Sequence, residues 1–257
     1  MLLTILSLIV LLLTFASFTP QIQHVWRRRD AKGISSSYIL LNLICATEHV
    51  FFGFFYIVNM REWSGFWTHH PINILDWVNF VQLTGVWAFF NVLFFLSLYF
   101  KPTSRLQKAL LIAIYIFFLI ISLVPLVIDA TIDIFCPQKS QTAPIIVMLL
   151  VLGLYKQARA STFNLSLPGL KLQAVVFMLS AASWVLRLAF PWKAYLEQPQ
   201  GHVPIYLVIP AWWQIIGFVA VDDAIFALGQ GVLLWLALRR GKRLAASHPE
   251  SRPLLGE

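Results

Sequence analysis

The chain has 257 residues, of which 59% are hydrophobic and 12% are charged, and its mean hydropathy is +0.77. A soluble domain carries roughly 25% charged residues, so this composition excludes a water-soluble globular protein and indicates a lipid environment. The formal net charge is +8, but the basic residues stand in short tracts beside apolar runs. That placement is typical of signals that orient membrane helices, and it does not indicate a nucleic-acid partner.

Seven apolar runs follow one another along the chain. Most of them are near the roughly 20 residues that a helix needs to cross the hydrocarbon core. The fifth run is short and the seventh is long, so the ends of these two are the least defined. The runs cover residues 2–24, 37–58, 73–100, 108–128, 143–158, 170–190 and 206–238.

The first run is predicted to be a membrane span. No positive charge precedes it, and Arg27, Arg28 and Arg29 follow it, whereas a signal peptide has the opposite order and a shorter apolar core. Most of the 19 Lys and Arg residues fall after spans one, three and five or in the tail. The positive-inside rule therefore predicts a lumenal N-terminus and a cytosolic C-terminus.

An offset of 131 residues places the second half of the chain on the first half with similar polarity and similar helix boundaries, and it sets Ser166 on Ser35. Spans 1–3 and 5–7 would point the same way if span four is a linker. The predicted units are a first three-helix repeat (1–104), a linker helix and loop (105–142), a second three-helix repeat (143–240) and a cytosolic tail (241–257).

A motif at the end of the first span carries a family resemblance. Pro20 and Gln21, a basic stretch, and then Gly33, Ile34 and Ser35 resemble the PQ-loop motif. The PQ-loop family includes cystinosin-like lysosomal amino-acid exporters, SWEET sugar carriers and the more distant KDEL receptors. The resemblance implies an all-α membrane protein in which seven transmembrane helices form two parallel three-helix repeats joined by a linker helix.

The second copy of the motif is degenerate at the 131-residue offset. Val151 and Leu152 stand at the positions of Pro20 and Gln21, and Asn164 replaces the glycine before Leu165 and Ser166. The second half therefore lacks a Pro-Gln pair at that register, while its Leu-Ser end is kept.

Pro20 has two interpretations. A proline removes an amide donor and kinks a helix, and in lipid the freed carbonyl has to be satisfied inside the protein, so Pro20 would form a hinge in span one. The alternative is that the helix ends there, because Arg27 follows within a few residues.

Three carboxylates lie well away from the ends of apolar runs, where a charge is costly and usually faces an interior cavity. Glu48 lies about a dozen residues into span two and either lines a cavity or forms a structural pair with His49 or another helix. Asp222 and Asp223 lie about ten residues into span seven. Two adjacent carboxylates cannot both ionise cheaply in a low dielectric, which favours a proton-coupling site, with Asp223 as the inward residue. The alternative is a structural cap or a pair with Arg187.

Further polar or aromatic positions are substrate-site candidates. Asp76 and Gln82 lie six residues apart in span three, although Asp76 is equally well interpreted as a solvated helix end. The resemblance to cystinosin-like proteins implies an Asp-then-Gln pair in the last span, where Asp223 and Gln230 are seven apart. Trp184, deep in span six, is a candidate pocket wall.

The tail contains a possible sorting signal. Glu250 precedes the pair Leu254 and Leu255 in the pattern of an acidic dileucine signal, which clathrin-adaptor proteins would bind in the cytosol. This predicts a vacuolar or lysosomal membrane. The alternative is a disordered tail that ends in leucines.

No motif indicates an enzyme or a cofactor, and two cysteines, Cys45 in an apolar run and Cys136 in a loop, support neither a disulfide framework nor a Cys-based metal site. The leading hypothesis is a proton-coupled exporter of a small solute, with an amino acid as the preferred class. The excess of acidic residues in the membrane and on the lumenal side favours a cationic or zwitterionic solute. Its partners would be the solute, protons and the lipid bilayer. The second hypothesis is a non-transporting receptor or scaffold, such as a cargo receptor or nutrient sensor.

Overall fold

The computed structural model describes residues 2–58, 67, 72–132, 138–160, 165–187, 209–210, 212–213 and 217–247. Within these residues the chain forms seven long α-helices and no β-strand, which confirms the predicted all-α class. The helices are α1 (Leu2–Arg28), α2 (Ser36–Val58), α3 (Ile74–Phe100), α4 (Arg105–Ile132), α5 (Gln138–Arg159), α6 (Leu167–Arg187) and α7 (Phe218–Ser247).

Six of these helices are long and apolar enough to cross a membrane, so the protein is a multi-pass membrane protein. Their candidate spans are Thr4–Arg28, Ser36–Val58, Ile74–Phe100, Arg105–Ile128, Leu167–Val185 and Phe218–Arg240. The α5 helix does not meet the same criteria among the described residues, so a seventh span is not confirmed. Its first turns are polar and its last turn contains Lys156 and Arg159, which leaves an apolar stretch shorter than the bilayer needs.

The helices pack in a pattern that relates the two halves of the chain. The α3 helix packs against α1 and α2, and α7 packs against α5 and α6. Between the halves, α1 packs against α6 and α2 packs against α5. If α1, α2 and α3 are exchanged with α5, α6 and α7, respectively, each of these six helix pairings becomes another of the six. The packing pattern is therefore symmetric between the two halves.

The α4 helix packs mainly against α2, and Tyr115 also contacts Trp87 and Phe94 of α3. Among its described side chains, Tyr115 and Leu126 are the buried ones, and beyond its polar first turn most of the exposed side chains are long and apolar. An apolar exterior of this kind is suited to lipid, where no water penalises it.

The centre of the bundle contains four phenylalanines from four helices. Phe18 of α1 and Phe90 of α3 have ring centroids 5.1 Å apart, and Phe177 of α6 and Phe226 of α7 have theirs 4.5 Å apart. The two pairs also contact each other, with 6.0 Å from Phe18 to Phe177 and 5.7 Å from Phe90 to Phe226. Edge-on contacts of this type stabilise a packed interior, and here they join helices of both halves.

Two sequence-based boundaries change. Pro20 lies inside α1, which continues to Arg28, so the interpretation that the helix ends at Pro20 is wrong, while its role as a hinge stays a prediction. Regular α7 helix begins at Phe218, so Asp222 and Asp223 lie in its second turn, and much of the predicted span before Phe218 lies outside the described residues.

We expect Gly85→Ala to destabilise the contact between α1 and α3. A Cβ atom on Gly85 would overlap Cε1 of Phe15, whose ring already packs against Phe89, so the ring has to shift. Such overpacking typically costs about 1–3 kcal/mol. The measurement is the thermal unfolding temperature of the purified protein in detergent.

Gly231→Ala is the matched control, because a Cβ on this α7 glycine meets no atom within 4 Å. Both substitutions gain the same helix propensity, so the difference between them isolates the packing effect. Equal unfolding temperatures for the two variants would contradict the close approach of α1 and α3.

Candidate functional site

The loop between α1 and α2 is held by a glutamine from the other half of the chain. Gly33 has a φ of 89°, a conformation that glycine adopts without strain, and its carbonyl accepts a hydrogen bond from Gln157 Nε2 at 2.8 Å. The Ser35 N–H donates to Gln157 Oε1, also at 2.8 Å. The Gln157 side chain, which is fully buried, therefore satisfies both a donor and an acceptor of this loop.

Gln21 of α1 makes the reciprocal contact. Its Oε1 atom accepts a hydrogen bond from the Ser166 N–H at 2.9 Å. Ser35 and Ser166 then have the same local role, because each hydroxyl accepts a backbone N–H three residues on, at the start of α2 and of α6 respectively. Each half thus supplies one glutamine that binds the backbone of the other half, and we call these four residues the glutamine clasp.

The fixed offset of 131 residues missed Gln157. Gln21 precedes Ser35 by 14 residues, but Gln157 precedes Ser166 by only nine, so one offset cannot superpose both the glutamines and the serines. The assignment of Leu152 as the counterpart of Gln21 is therefore wrong. Allowing a five-residue gap between the helix and the Leu-Ser end would have found Gln157 from the sequence.

The loop has a second anchor at α3. The buried Ile34 offers its carbonyl to Lys101 Nζ at 2.8 Å, and Lys101 lies just beyond the end of α3. Burial lowers the pKa of the Lys101 ammonium from its ordinary value. The Gly-Ile-Ser segment is thus held by α3 on one side and by α5 on the other.

A small cavity lies next to the clasp, between the two halves. It has a volume of about 30 Å³, room for about two water molecules. Its polar lining includes Gln21, Tyr38, Gln173 and Gln230, and Leu165 is among its apolar wall residues. Gln230, one of the predicted substrate-site residues, donates from Nε2 to the Tyr38 hydroxyl at 2.5 Å. It therefore connects α7 to α2.

The second polar region, the acidic centre, is formed around Asp222 and Asp223. Adjacent residues of a helix point about 100° apart, so the two carboxylates meet different neighbours. Asp222 is 1% exposed and faces α2, where its Oδ2 atom lies 3.0 Å from His49 Nε2 and accepts the Cys45 thiol at 3.6 Å. His49 lies in the middle of α2, so this contact is far from either end of that helix.

Asp223 faces α6 and begins a chain of buried hydrogen bonds. The Ser180 hydroxyl donates to Asp223 Oδ2 at 2.7 Å. Gln82 Nε2 of α3 donates to Ser180 Oγ at 3.1 Å and to Thr14 Oγ1 of α1 at 3.3 Å. Side chains of four helices from both halves are therefore joined to one carboxylate.

Two other predicted carboxylates lie elsewhere. Glu48 is buried and accepts the Ser122 hydroxyl of α4 at 2.5 Å, which places it against the linker helix, while its neighbour His49 pairs with Asp222. Asp76 forms a capping box with Asn73 at the start of α3. It is a helix-end residue, as one interpretation proposed, but it is buried and not solvated.

Trp184 belongs to an apolar cluster. It is buried with Phe52 of α2 and Phe218 of α7, and this cluster lies beside the acidic centre, since Phe218 also contacts the His49 ring at 5.8 Å between centroids. Trp184 lines none of the described cavities. Asn164, Glu250, Leu254, Leu255 and the Arg187 side chain lie outside the described part of the structure.

The fold and these polar contacts define the protein as a multi-pass helical membrane protein with a motif loop clasped between its two halves. Residues 2–60, which include α1, the motif loop and α2, match the family model described as PQ loop repeat. The chain therefore contains a PQ-loop repeat, and the resemblance that the Pro20-Gln21 motif indicates is confirmed. No curated protein and no solved structure gives a significant match.

We expect Gln157→Ala to lower the stability of the folded protein markedly. It removes the partners of the Ser35 N–H and the Gly33 carbonyl, and leaving a buried polar group unsatisfied costs about 1–3 kcal/mol. Gln21→Ala should cost less, because it removes one such bond. Thermal unfolding in detergent measures both.

Gln107→Ala is the control, because Gln107 is exposed on α4. If Gln157→Ala unfolds at the same temperature as this control, the clasp contributes nothing to stability and the reciprocal contact has no energetic role.

Proposed function

We propose that this protein is a proton-coupled transporter that exports a small solute, preferably an amino acid, from an acidic lumen to the cytosol. The single observation that carries the proposal is the position of Asp223. It is a buried carboxylate that hydrogen bonds connect to helices of both halves of a PQ-loop repeat protein. A protonation change there acts on the contact between the halves.

The proposed architecture is a pair of parallel three-helix repeats, α1–α3 and α5–α7, with α4 as the linker. The symmetric pairing of the helices supports it, as does the reciprocal exchange of hydrogen bonds between Gln21 and Ser166 and between Gln157 and Ser35. Parallel repeats place their shared interface near the middle of the bilayer, where transporters bind solute and coupling ion.

The coupling step follows from the hydrogen bonds of Asp223. The ionised carboxylate accepts the Ser180 hydroxyl in a charge-assisted bond, which is stronger than the bond to a neutral carboxyl group. Protonation from the lumen would weaken this bond between α7 and α6, and loss of the proton to the cytosol would restore it. Asp222, His49 and Cys45 are titratable groups close to Asp223 in the acidic centre.

The packed interior supports a mechanism in which the halves separate. The cavity at the clasp, about 30 Å³, is far smaller than an amino acid. A solute could pass only after α1 and α2 move away from α6 and α5, which is a motion that breaks the clasp. Pro20, within α1 and next to Gln21, is the proposed hinge for this motion.

We expect Asp223→Asn to abolish pH-driven flux in proteoliposomes that contain the full chain. Asp222→Asn should reduce this flux much less, because Asp222 faces α2 and does not join the bonds through Ser180. The assay follows labelled amino acids and sugars with and without a pH gradient, and Gln107→Ala serves as the unperturbed control.

Two outcomes would contradict the assignment. If both Asn variants keep the wild-type pH dependence, the coupled proton is elsewhere and Glu48 becomes the candidate. If the wild-type chain binds a solute but moves none, the alternative of a non-transporting cargo receptor or nutrient sensor replaces the transporter.

The proposed location is the vacuolar or lysosomal membrane, with the N-terminus in the lumen and the tail in the cytosol. The support is the distribution of Lys and Arg and the dileucine pattern after Glu250. We expect the double substitution Leu254→Ala and Leu255→Ala to divert a fluorescent fusion protein to the cell surface, because clathrin adaptors would no longer bind the tail. An unchanged location would remove the sorting role of the tail.

A further inference from the structure

Three side chains of the types that bind transition metals meet between α2 and α7. They are Cys45, His49 and Asp222, all of them buried. Cys45 Sγ lies 3.8 Å from His49 Nε2 and 3.6 Å from Asp222 Oδ2, and His49 Nε2 lies 3.0 Å from Asp222 Oδ2. The three potential ligand atoms thus form a small triangle with one atom from each residue.

The dimensions of this triangle fit a tetrahedral metal ion. Zinc binds sulfur at about 2.3 Å and nitrogen or oxygen at about 2.0–2.2 Å, which sets the distances between its ligand atoms at about 3.3–3.6 Å. The three observed distances are 3.8, 3.6 and 3.0 Å. Cys45 and His49 are four residues apart and share one face of α2, so movements of a few tenths of an ångström would complete the ligand set.

The charges of the three groups also fit a divalent ion. A thiolate and a carboxylate together carry two negative charges and a neutral imidazole carries none, so a divalent cation makes the cluster neutral. Neutrality matters at this depth, because a net charge buried in the bilayer is costly. Binding would release the proton of the Cys45 thiol to water. The proton between His49 Nε2 and Asp222 Oδ2 would also have to leave, either to Nδ1 of the same ring or to water, so that Nε2 can bind the ion.

One atom of the cluster lacks a partner in the described structure. Asp222 Oδ1 is buried and has no hydrogen-bond partner, whereas Oδ2 is shared by Cys45 and His49. Leaving a carboxylate oxygen unpaired in an apolar interior is unfavourable. A cation bound at Asp222, or a ligand of that cation, would satisfy it.

We infer that Cys45, His49 and Asp222 form a binding site for a divalent transition metal of the zinc class, with a fourth coordination position open. The thiolate and imidazole select against calcium and magnesium, which bind oxygen ligands, and the carboxylate makes the set unlike the sulfur sites of copper(I). The cysteine count of the sequence indicated no Cys-based site, because it considered cysteines alone. The metal site stands independently of solute transport.

The surroundings of the site keep water away from it. Ile146 and Leu150 of α5 and Ile225 of α7 pack with Cys45, and the Phe218 ring contacts the His49 ring. In such a low-dielectric environment each bond between a metal and a charged ligand is stronger than it would be near water.

Cobalt(II) is a suitable probe, because it takes zinc sites and reports a thiolate ligand through its charge-transfer absorption in the near ultraviolet. We expect the full-length chain, purified in detergent and stripped with a chelator, to bind one Co²⁺ with this band. One equivalent of Zn²⁺ should remove the band. Cys45→Ser should abolish the band, and Asp222→Asn should weaken Co²⁺ binding at least tenfold.

Two controls match these variants. Cys136→Ser removes the chain's other thiol and should keep the band, and Asp30→Asn changes a loop carboxylate that accepts the Lys32 N–H. The inference is overturned if the wild-type protein shows no charge-transfer band. It is also overturned if Cys45→Ser keeps the band or Cys136→Ser loses it.

A second measurement needs no change to a ligand, in case Cys45→Ser does not fold. In the Cys136→Ser chain, Cys45 is the remaining thiol. Brief warming opens the site to iodoacetamide, and Zn²⁺ should slow the alkylation of Cys45 at least tenfold. Equal rates with Zn²⁺ and with a chelator would show a hydrogen-bonded triad that binds no metal. Neither binding assay depends on flux, so a failed metal site and a failed transporter are separate results.

Discussion

The need to satisfy buried backbone groups governs how the two halves of this protein are joined. The segment from Gly33 to Ser35 is partly buried at the edge of the bundle, and Gln157 provides the partners of the Gly33 carbonyl and the Ser35 N–H. Gln21 does the same for the N–H of Ser166. Because in each case the partner comes from the opposite half, neither motif loop is complete without the other half of the chain.

The polar groups deeper in the bundle likewise find their hydrogen-bond partners on other helices. Asp223 receives its hydroxyl donor from α6, and through Ser180 it is connected to Gln82 of α3. Asp222 meets His49 and Cys45 of α2. Adjacent residues on one helix thus direct two carboxylates to two different helices, which makes α7 the element that connects the proposed proton-coupling site with the proposed metal site.

The contacts of three predicted site residues show why depth in a span does not by itself assign a role. Glu48 is as deep as predicted, but it accepts the Ser122 hydroxyl of the linker helix. Asp76 closes the capping box of α3, and Trp184 packs into an apolar cluster. Depth along a helix is readable from sequence, whereas the direction of a side chain around the helix axis depends on which neighbour packs there. Gln157 was missed for a related reason, since its register depends on the length of a loop.

The sequence by itself determined the membrane environment, the all-helical class, six of the membrane spans and the PQ-loop repeat of residues 2–60, because these follow from hydropathy and from a local motif. Only the tertiary structure decided which polar residues meet. The distances in sequence from Cys45 to Asp222 and from Gln21 to Ser166 exceed 140 residues. Contacts of that range are set by helix packing, in which a rotation of about 100°, the angle between adjacent residues, exchanges one partner for another.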